Sequence, residues 1–149
     1  TGTLGDNIVY GNVSYHSSSP EQIAMLLEER GLMPLLDRFE QGLATPVAQK
    51  GDTLSIGQKQ IIAFIRAVLR DPSLLILDEA TANIDTVTEN TLQEIIKALP
   101  AATTKVVIAH RLHTIANADE IFFVNNATIT PAGSFDHAVE MIMGSARVS

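Results

Sequence analysis

The sequence has no cysteine and no tryptophan among its 149 residues, and no surplus of basic charge. Without cysteine there are no disulfides, no thiolate zinc sites and no cysteine nucleophile, and a reducing compartment is weakly favoured. Seventeen acidic residues against ten basic ones leave a formal charge of −7. That argues against a broad nucleic-acid surface, which needs clustered Lys and Arg. No apolar run approaches the roughly 20 residues that span a bilayer, because Arg66 and Arg70 interrupt the best candidate. The opening TGTLGDNIVYG lacks the basic start and apolar centre of a signal peptide. A phosphate-cradling loop of the form G-x-x-x-x-G-K-[ST] is absent too, and no Gly-Lys pair occurs anywhere. What is there is 46% hydrophobic and 18% charged, too apolar for disorder. The length suits one globular domain burying about 70% of its unfolded surface. The chain opens on Thr1–Gly2–Thr3 with no initiator Met, the start expected of a piece cut from something longer.

Local patterns predict a helical segment followed by alternating strands and helices. Ser19 can cap a helix with Pro20 in its first turn, and Gly31 can end it. Ile23, Leu26, Leu27 and Arg30 fall on one face of that helix. A short helical piece over 32–39 is followed by a loop over 44–53, and a helix from Gly57 to Arg70 ends before Asp71–Pro72. Leu74–Leu75–Ile76–Leu77 is a continuous apolar run closed by Asp78–Glu79, which predicts a strand buried on both faces of a parallel sheet. From Asp85 as cap to Leu99, Leu92, Ile95, Ile96 and Leu99 repeat at i, i+3, i+4, i+7 on an amphipathic helix. Lys105 to Ala109 reads as another buried strand, followed by His110 and a short helix to about Asn117. Segments 120–125 and 127–130 form a hairpin around Asn125–Asn126, with Phe122–Phe123 in a core strand, and a last helix covers 134–143. His16, His113 and His137 read as surface residues without an acidic partner at ligand spacing, and Glu28–Glu29–Arg30 as a solvated face. This order gives an α/β fold with a parallel sheet in its second half.

Three constellations carry chemistry. Leu54–Ser55–Ile56–Gly57–Gln58 stands at a helix start, where Ser55 offers a hydroxyl and Gly57 permits close approach of a ligand. The helix behind presents unpaired N–H groups and a positive dipole end to a phosphate; an ordinary serine cap is the plainer alternative. Asp78–Glu79 places two adjacent acids at the carboxyl end of an apolar strand, where open α/β sheets bind ligands. Asp78 is suited to Mg²⁺ and Glu79 to deprotonating an attacking water; the alternative is that the acids cap the next turn. His110 follows Asp78 by 32 residues, just past the next strand, and neighbouring strands would bring both to one edge. A structural histidine is the alternative there.

Taken in order, these residues resemble the ATP-binding-cassette (ABC) ATPases. LSIGQKQ is similar to the signature motif, with Ile56 where the commonest form has Gly, and LLILDE to Walker B plus the catalytic glutamate. Ala82–Asn83–Ile84–Asp85 is similar to the D-loop and His110 to the switch histidine. The resemblance runs from about Thr1 to Gly133. Two further segments resemble the exporter branch. Thr45–Pro46–Val47–Ala48–Gln49–Lys50–Gly51 is similar to the loop Thr-x-Val-Gly-Glu-x-Gly that touches the membrane domain's coupling helices, although Ala48 and Gln49 replace the Gly and Glu. Gly2–Thr3–Leu4 with Asn7–Ile8 is similar to the stretch after the Q-loop, and Ala109–His110–Arg111–Leu112 with Ile115 to the exporter switch region.

The resemblance implies a P-loop NTPase-like core, present as its carboxyl half over 73–149, preceded by the helical signature subdomain over 1–72. It implies ATP and Mg²⁺ as cofactors, with Ser55, Gly57 and Gln58 contacting ATP bound to the opposite subunit. It implies Asp78 for the metal, Glu79 as general base and His110 on the γ-phosphate, with Ala82 and Asp85 at the dimer interface. The implied partners are a second nucleotide-binding domain, head to tail, and the coupling helices of a transmembrane domain, with no nucleic acid. The implied place is the cytoplasmic side of a membrane, the bacterial inner membrane. By family order the phosphate loop, the adenine-stacking aromatic and the Q-loop Gln precede Thr1. The 149-residue chain alone is therefore expected to bind ATP weakly and not to hydrolyse it, because the lysine and amide cradle supply most of the phosphate-binding energy. Two other readings stand beside the exporter. One is a soluble ABC ATPase acting on DNA or ribosomes, which a basic arm or coiled coil would favour. The other is a non-catalytic truncated cassette that pairs with a complete one, which an open reading frame starting near Thr1 would favour.

Overall fold

A computed structural model describes residues 2–48, 53–78, 84–108 and 112–145. Its helices start where side chains satisfy the first free amides. Helix α1 (Leu4–Val9) follows strand β1 (Gly2–Thr3) and begins with a reciprocal pair: Thr3 N donates to Asp6 Oδ2 at 2.7 Å, and Asp6 N to Thr3 Oγ1 at 3.2 Å. The signal for this helix, Thr3-x-x-Asp6, lies in the sequence as a capping box, but the periodicity reading passed over so short an element. Helix α2 (Pro20–Glu29) starts as predicted from Ser19, whose Oγ accepts from Gln22 N while Gln22 Oε1 accepts from Ser19 N. It stops at Gly31, whose φ of 66° lets Gly31 N reach Glu28 O and Leu32 N reach Leu27 O. The piece predicted over 32–39 is a 3₁₀ helix, Met33–Arg38, and a second 3₁₀ turn spans Gly42–Ala44.

Strand β2 (Pro46–Val47) pairs antiparallel with β1, Gly2 opposite Val47 and Thr3 opposite Pro46, and Leu4 N extends the ladder to Thr45 O at 2.8 Å. Helix α3 (Ile56–Val68) is followed by β3 (Leu74–Asp78), α4 (Thr86–Ala98) and β4 (Thr104–Ile108). Strands β3 and β4 are neighbours in a parallel sheet, and Thr104 N donates to Ser73 O at 2.9 Å. The crossover helix α4 between them is what a parallel pair requires.

By internal contacts the chain divides into two units, Thr1–Val106 and Val107–Ser149. The first is built on Leu4 and Ile8 from α1, Leu27 from α2, Leu32 and Leu35 around the 3₁₀ helix, Ile61, Ile65 and Leu69 from and just after α3, and Leu92 from α4, all buried. Each such aliphatic side chain contributes about 2 kcal/mol by leaving water. Polar ties reinforce the meeting of α1 and α3. Arg66 Nε donates to Asn7 O, its Nη2 lies 3.2 Å from Asn7 Oδ1, and its guanidinium sits 5.7 Å from the Tyr10 ring centroid. Burial, with Arg70 nearby, holds the Arg66 guanidinium below its usual pKa, and the buried Asn12 amide donates to Leu69 O at 2.9 Å.

Strand β3 corrects the expectation of burial on both faces: Leu75 and Leu77 are buried, but Leu74 and Ile76 are more than half exposed. Val106 and Ile108 of β4 are exposed likewise. Successive side chains point to opposite faces of a strand; β3 has one face covered and the other open, whereas in β4 Val107 alone is half-buried.

The sequence places Arg30 in a solvated face, but in the structure it reaches across to Asp71, where its Nη2 donates to Asp71 Oδ2 at 3.1 Å and its Nη1 to Oδ1. That hydrogen bond holds the Asp71 carboxyl below its usual value of 3.8, and the Thr3 amide does the same for Asp6. A carboxyl with a depressed folded-state pKa adds stability that is present above about pH 4 and lost as the pH falls through the folded value. The melting temperature of the chain should therefore fall on acidification below about pH 4, and Asp71→Asn should flatten that fall. Parallel pH–melting curves for the two chains would exclude Asp71 as a contributor.

In the second unit α5 (Leu112–Ile115) precedes a hairpin of β5 (Phe122–Asn125) and β6 (Thr128–Pro131), then α6 (Phe135–Ser145). Ile121, Ala132 and Ala138 form its buried cluster, with Ile115, Phe135 and Met141 packed against them. The predicted hairpin is present, its turn one residue later than expected: Asn126 and Ala127 have φ of 47° and 57°, between the paired Asn125 and Thr128. Positive φ at both central positions is the turn geometry that matches the strand twist. Of the two phenylalanines assigned to a core strand, Phe123 is half-buried and Phe122 exposed, because the pleat sends them to opposite faces. His137 is exposed as predicted but does have an acidic neighbour, Glu140 Oε2 at 3.5 Å one turn on. Ala127 carries a Cβ in the left-handed region, so Ala127→Gly should stabilise the hairpin by about 0.5–1 kcal/mol, visible as a higher melting temperature.

Candidate nucleotide-contact site

The signature-like segment sits at the start of α3, where Ser55 is the N-cap, Ile56 and Gly57 open the helix and Gln58 is its third residue. Gln58 N donates to Ser55 Oγ at 3.1 Å, and Ser55 N donates to Gln58 Oε1 at 2.9 Å. The other end of the Gln58 carboxamide is also engaged, its Nε2 donating to Arg38 O at 2.8 Å. The plain reading of Ser55 as a helix cap is therefore observed. Ser55 caps the helix, and the same cap holds the amides of the first turn at the helix's positive end. Ile56 is 61% exposed at this tip, a branched side chain beside the cap.

Asp78 ends β3 as an exposed carboxylate. Among the described residues no three His, Cys, Asp or Glu side chains group to hold a metal ion by themselves. A lone strand-end carboxylate fits Mg²⁺, which takes one or two carboxylates and completes its shell with water and phosphate oxygens. Asp78 is the described residue with that chemistry.

Asp85 is the N-cap of α4, as predicted, with Oδ1 accepting from Val87 N and Thr88 N at 3.2 Å each and Oδ2 accepting from Thr88 Oγ1 at 2.9 Å. Arg38 Nη2 donates to the same Oδ1 at 2.7 Å. The Thr88 amide first, then the Thr88 hydroxyl and the Arg38 charge, hold this carboxyl below its usual range against the opposing effect of burial. The structure thus links three of the sequence's candidates, Ser55, Gln58 and Asp85, through a residue that sequence reasoning did not single out. Arg38 lies 47 residues from Asp85 and 20 from Gln58, so no local spacing could have found it. Glu79, Ala82 and His110, and also Gln49, lie outside the described residues. The start of the stretch likened to the one after the Q-loop, Gly2–Thr3, pairs with Pro46–Val47 of the exporter-like loop where β1 meets β2.

Comparisons with known proteins identify the family. Residues 4–82, more than half of the chain, match the family described as ABC transporter. The chain is 42% identical, over 93% of its length, to an uncharacterized ABC transporter ATP-binding protein, YfiC, of Bacillus subtilis. It is 40% identical, over 95% of its length, to a probable multidrug resistance ABC transporter ATP-binding/permease protein, YheH, of the same organism. A solved structure of a bacterial Atm1-family ABC exporter with ATP bound superimposes on 97% of the chain with a TM-score of 0.73 at 30% identity, using 24% of that exporter's chain. The chain belongs to the ABC transporter family. Its fold is the α/β, P-loop NTPase-like fold of ABC exporter ATPases. It spans about a fifth of the length of the curated relatives, 22% of YfiC and 20% of YheH. Among the described residues no helix is long and apolar enough to cross a membrane.

Proposed function

We propose that the chain serves in the nucleotide-binding domain of an ABC exporter, which binds and hydrolyses ATP on the cytoplasmic side of a membrane to drive transport. The observation that carries this reading is the likeness of nearly the whole chain to an ATP-bound exporter, with Ser55, Gly57 and Gln58 at a helix tip, Asp78 at a strand end and Asp85 at a second helix start.

In this reading the tip of α3 meets the γ-phosphate of ATP held by the opposite cassette, using the Ser55 hydroxyl and the Gly57 amide. Asp78 would hold Mg²⁺, which when bound offsets charge on the transferring phosphate. Glu79 takes a proton from the attacking water, and His110 contacts the γ-phosphate. Ala82 and Asp85 lie at the interface with the second cassette, and the segment joined to β2 faces the coupling helices of a transmembrane domain. The helical subdomain is residues 1–72 and the carboxyl half of the core residues 73–149, a division by role that differs in kind from the two contact units.

The test compares the assembled transporter in lipid vesicles with the purified 149-residue chain. The transporter should show Mg²⁺-dependent ATP hydrolysis, and the chain alone should show none and bind ATP only in the millimolar range, because it holds no lysine-bearing phosphate loop. Steady turnover by the isolated chain would refute the shared-site reading.

A further inference from the structure

We propose that Arg38 is a positioning residue that locks the start of α4 to the tip of α3, so that the two cassette-facing elements move as one body; this rests on the exporter reading above. Arg38 uses both of its ends. Its carbonyl oxygen accepts from Gln58 Nε2 at 2.8 Å, and Gln58 is bound reciprocally to Ser55. Its guanidinium donates to Asp85 Oδ1 at 2.7 Å, the oxygen that also caps α4 through Val87 N and Thr88 N. An unbroken run of hydrogen bonds therefore joins Ser55 to Thr88 through one residue of the 3₁₀ helix, within a single contact unit. Leu35 and Leu36 of the same 3₁₀ helix are buried, which anchors the backbone beneath Arg38. The 3₁₀ helix packs against α4, in which Thr88 and Glu89 are buried.

Exposure argues that the link serves geometry rather than stability. The Arg38 and Asp85 side chains keep 39% and 52% of their surface in water, where an ion pair adds little to folding. Asp85 already caps α4 through two amides without Arg38. What Arg38 adds is register between two helix starts 30 residues apart in sequence, Ser55 and Asp85, which in the exporter reading must meet one opposite cassette together. A small misplacement at such a shared site costs rate out of proportion to its cost in stability.

The experiment measures ATP hydrolysis, ATP affinity and melting temperature of the assembled transporter with Arg38→Ala, Arg38→Lys, Asp85→Asn and the double substitution Arg38→Ala/Asp85→Asn. Arg38→Ala should lower kcat about tenfold. The ATP Kd should stay within about twofold, because the phosphate cradle of the cassette that holds the nucleotide supplies most of the affinity. The melting temperature should stay within about 2 °C, because an exposed ion pair adds little to folding. Arg38→Lys should recover part of kcat, since a single ammonium reaches one carboxylate oxygen but lacks the guanidinium fork. The double substitution should be no worse than the more damaging single one, since both break the same link. An unchanged kcat in Arg38→Ala overturns the proposal. So does a loss in which Kd and melting temperature move with kcat, or one in which the double substitution is additive. If the unsubstituted transporter hydrolyses no ATP, the exporter reading falls and the link's role with it, whereas an active transporter indifferent to Arg38→Ala overturns the link alone.

Discussion

Replacing Glu79 by Gln in the assembled transporter is expected to leave ATP binding near normal and to lower steady-state hydrolysis by about 10²- to 10⁴-fold, the range that a positioned general base contributes. The argument starts from the strand. β3 runs apolar from Leu74 to Leu77 and ends on Asp78, at the carboxyl edge where α/β sheets bind ligands, and Glu79 follows Asp78 in the sequence. An amide keeps the shape of the carboxyl group and its capacity to hold a water in place, but it cannot take the proton. Binding, which depends on phosphate contacts, should survive, and only the chemical step should fail. Measuring ATP binding beside turnover separates the outcomes. Near-normal turnover in the variant refutes Glu79 as base, and loss of binding with turnover shows that the residue supports the site's structure instead.

The second large effect is on stability. Ile65→Ala should cost about 3–4 kcal/mol and lower the melting temperature by about 10 °C. Ile65 is fully buried on α3, the helix that packs against α1 and whose tip carries Ser55, Gly57 and Gln58. Removing three carbons there leaves a cavity that neighbours held by the Arg66 and Asn12 ties cannot readily close. Ile56→Ala on the same helix is the control: Ile56 is exposed, so its loss should change stability by less than about 0.5 kcal/mol. Equal losses from the two substitutions would show that α3 is not anchored through its buried face.

Much of the fold was legible because its signals are local. The Ser19–Pro20 start and Gly31 stop of α2, the Asp85 cap of α4 and the apolar run of β3 each depend on a few adjacent residues, and each appears where the pattern put it. The hairpin was legible to within one residue; its turn needs two consecutive positive φ values, and both Asn125–Asn126 and Asn126–Ala127 contain an asparagine that tolerates them. The misses have physical reasons. An apolar run does not say how many of its faces are covered, so the open sides of β3 and β4 and the exposed Phe122 could not be read from it. Arg30 looked like one charge in a solvated row because its partner Asp71 is 41 residues away. The candidate site divides in the same way: Ser55 with Gln58 and Asp85 with Thr88 are contacts within three residues, whereas Arg38 is tied to both only through space.

By itself the sequence determined which residues are candidates for the chemistry and in what order, because hydroxyl, carboxylate and glycine at fixed spacing are properties of the chain and need no partner. It also determined where most helices begin, since a cap is a contact across three residues. Only the tertiary structure decided which of those starts are joined, through Arg38 and its two hydrogen-bonded ends. It likewise decided which apolar residues are covered, and that β1 pairs Gly2–Thr3 with Pro46–Val47 of the exporter-like loop. These contacts pair residues tens of positions apart, and packing selects them from many combinations that local spacing leaves equal.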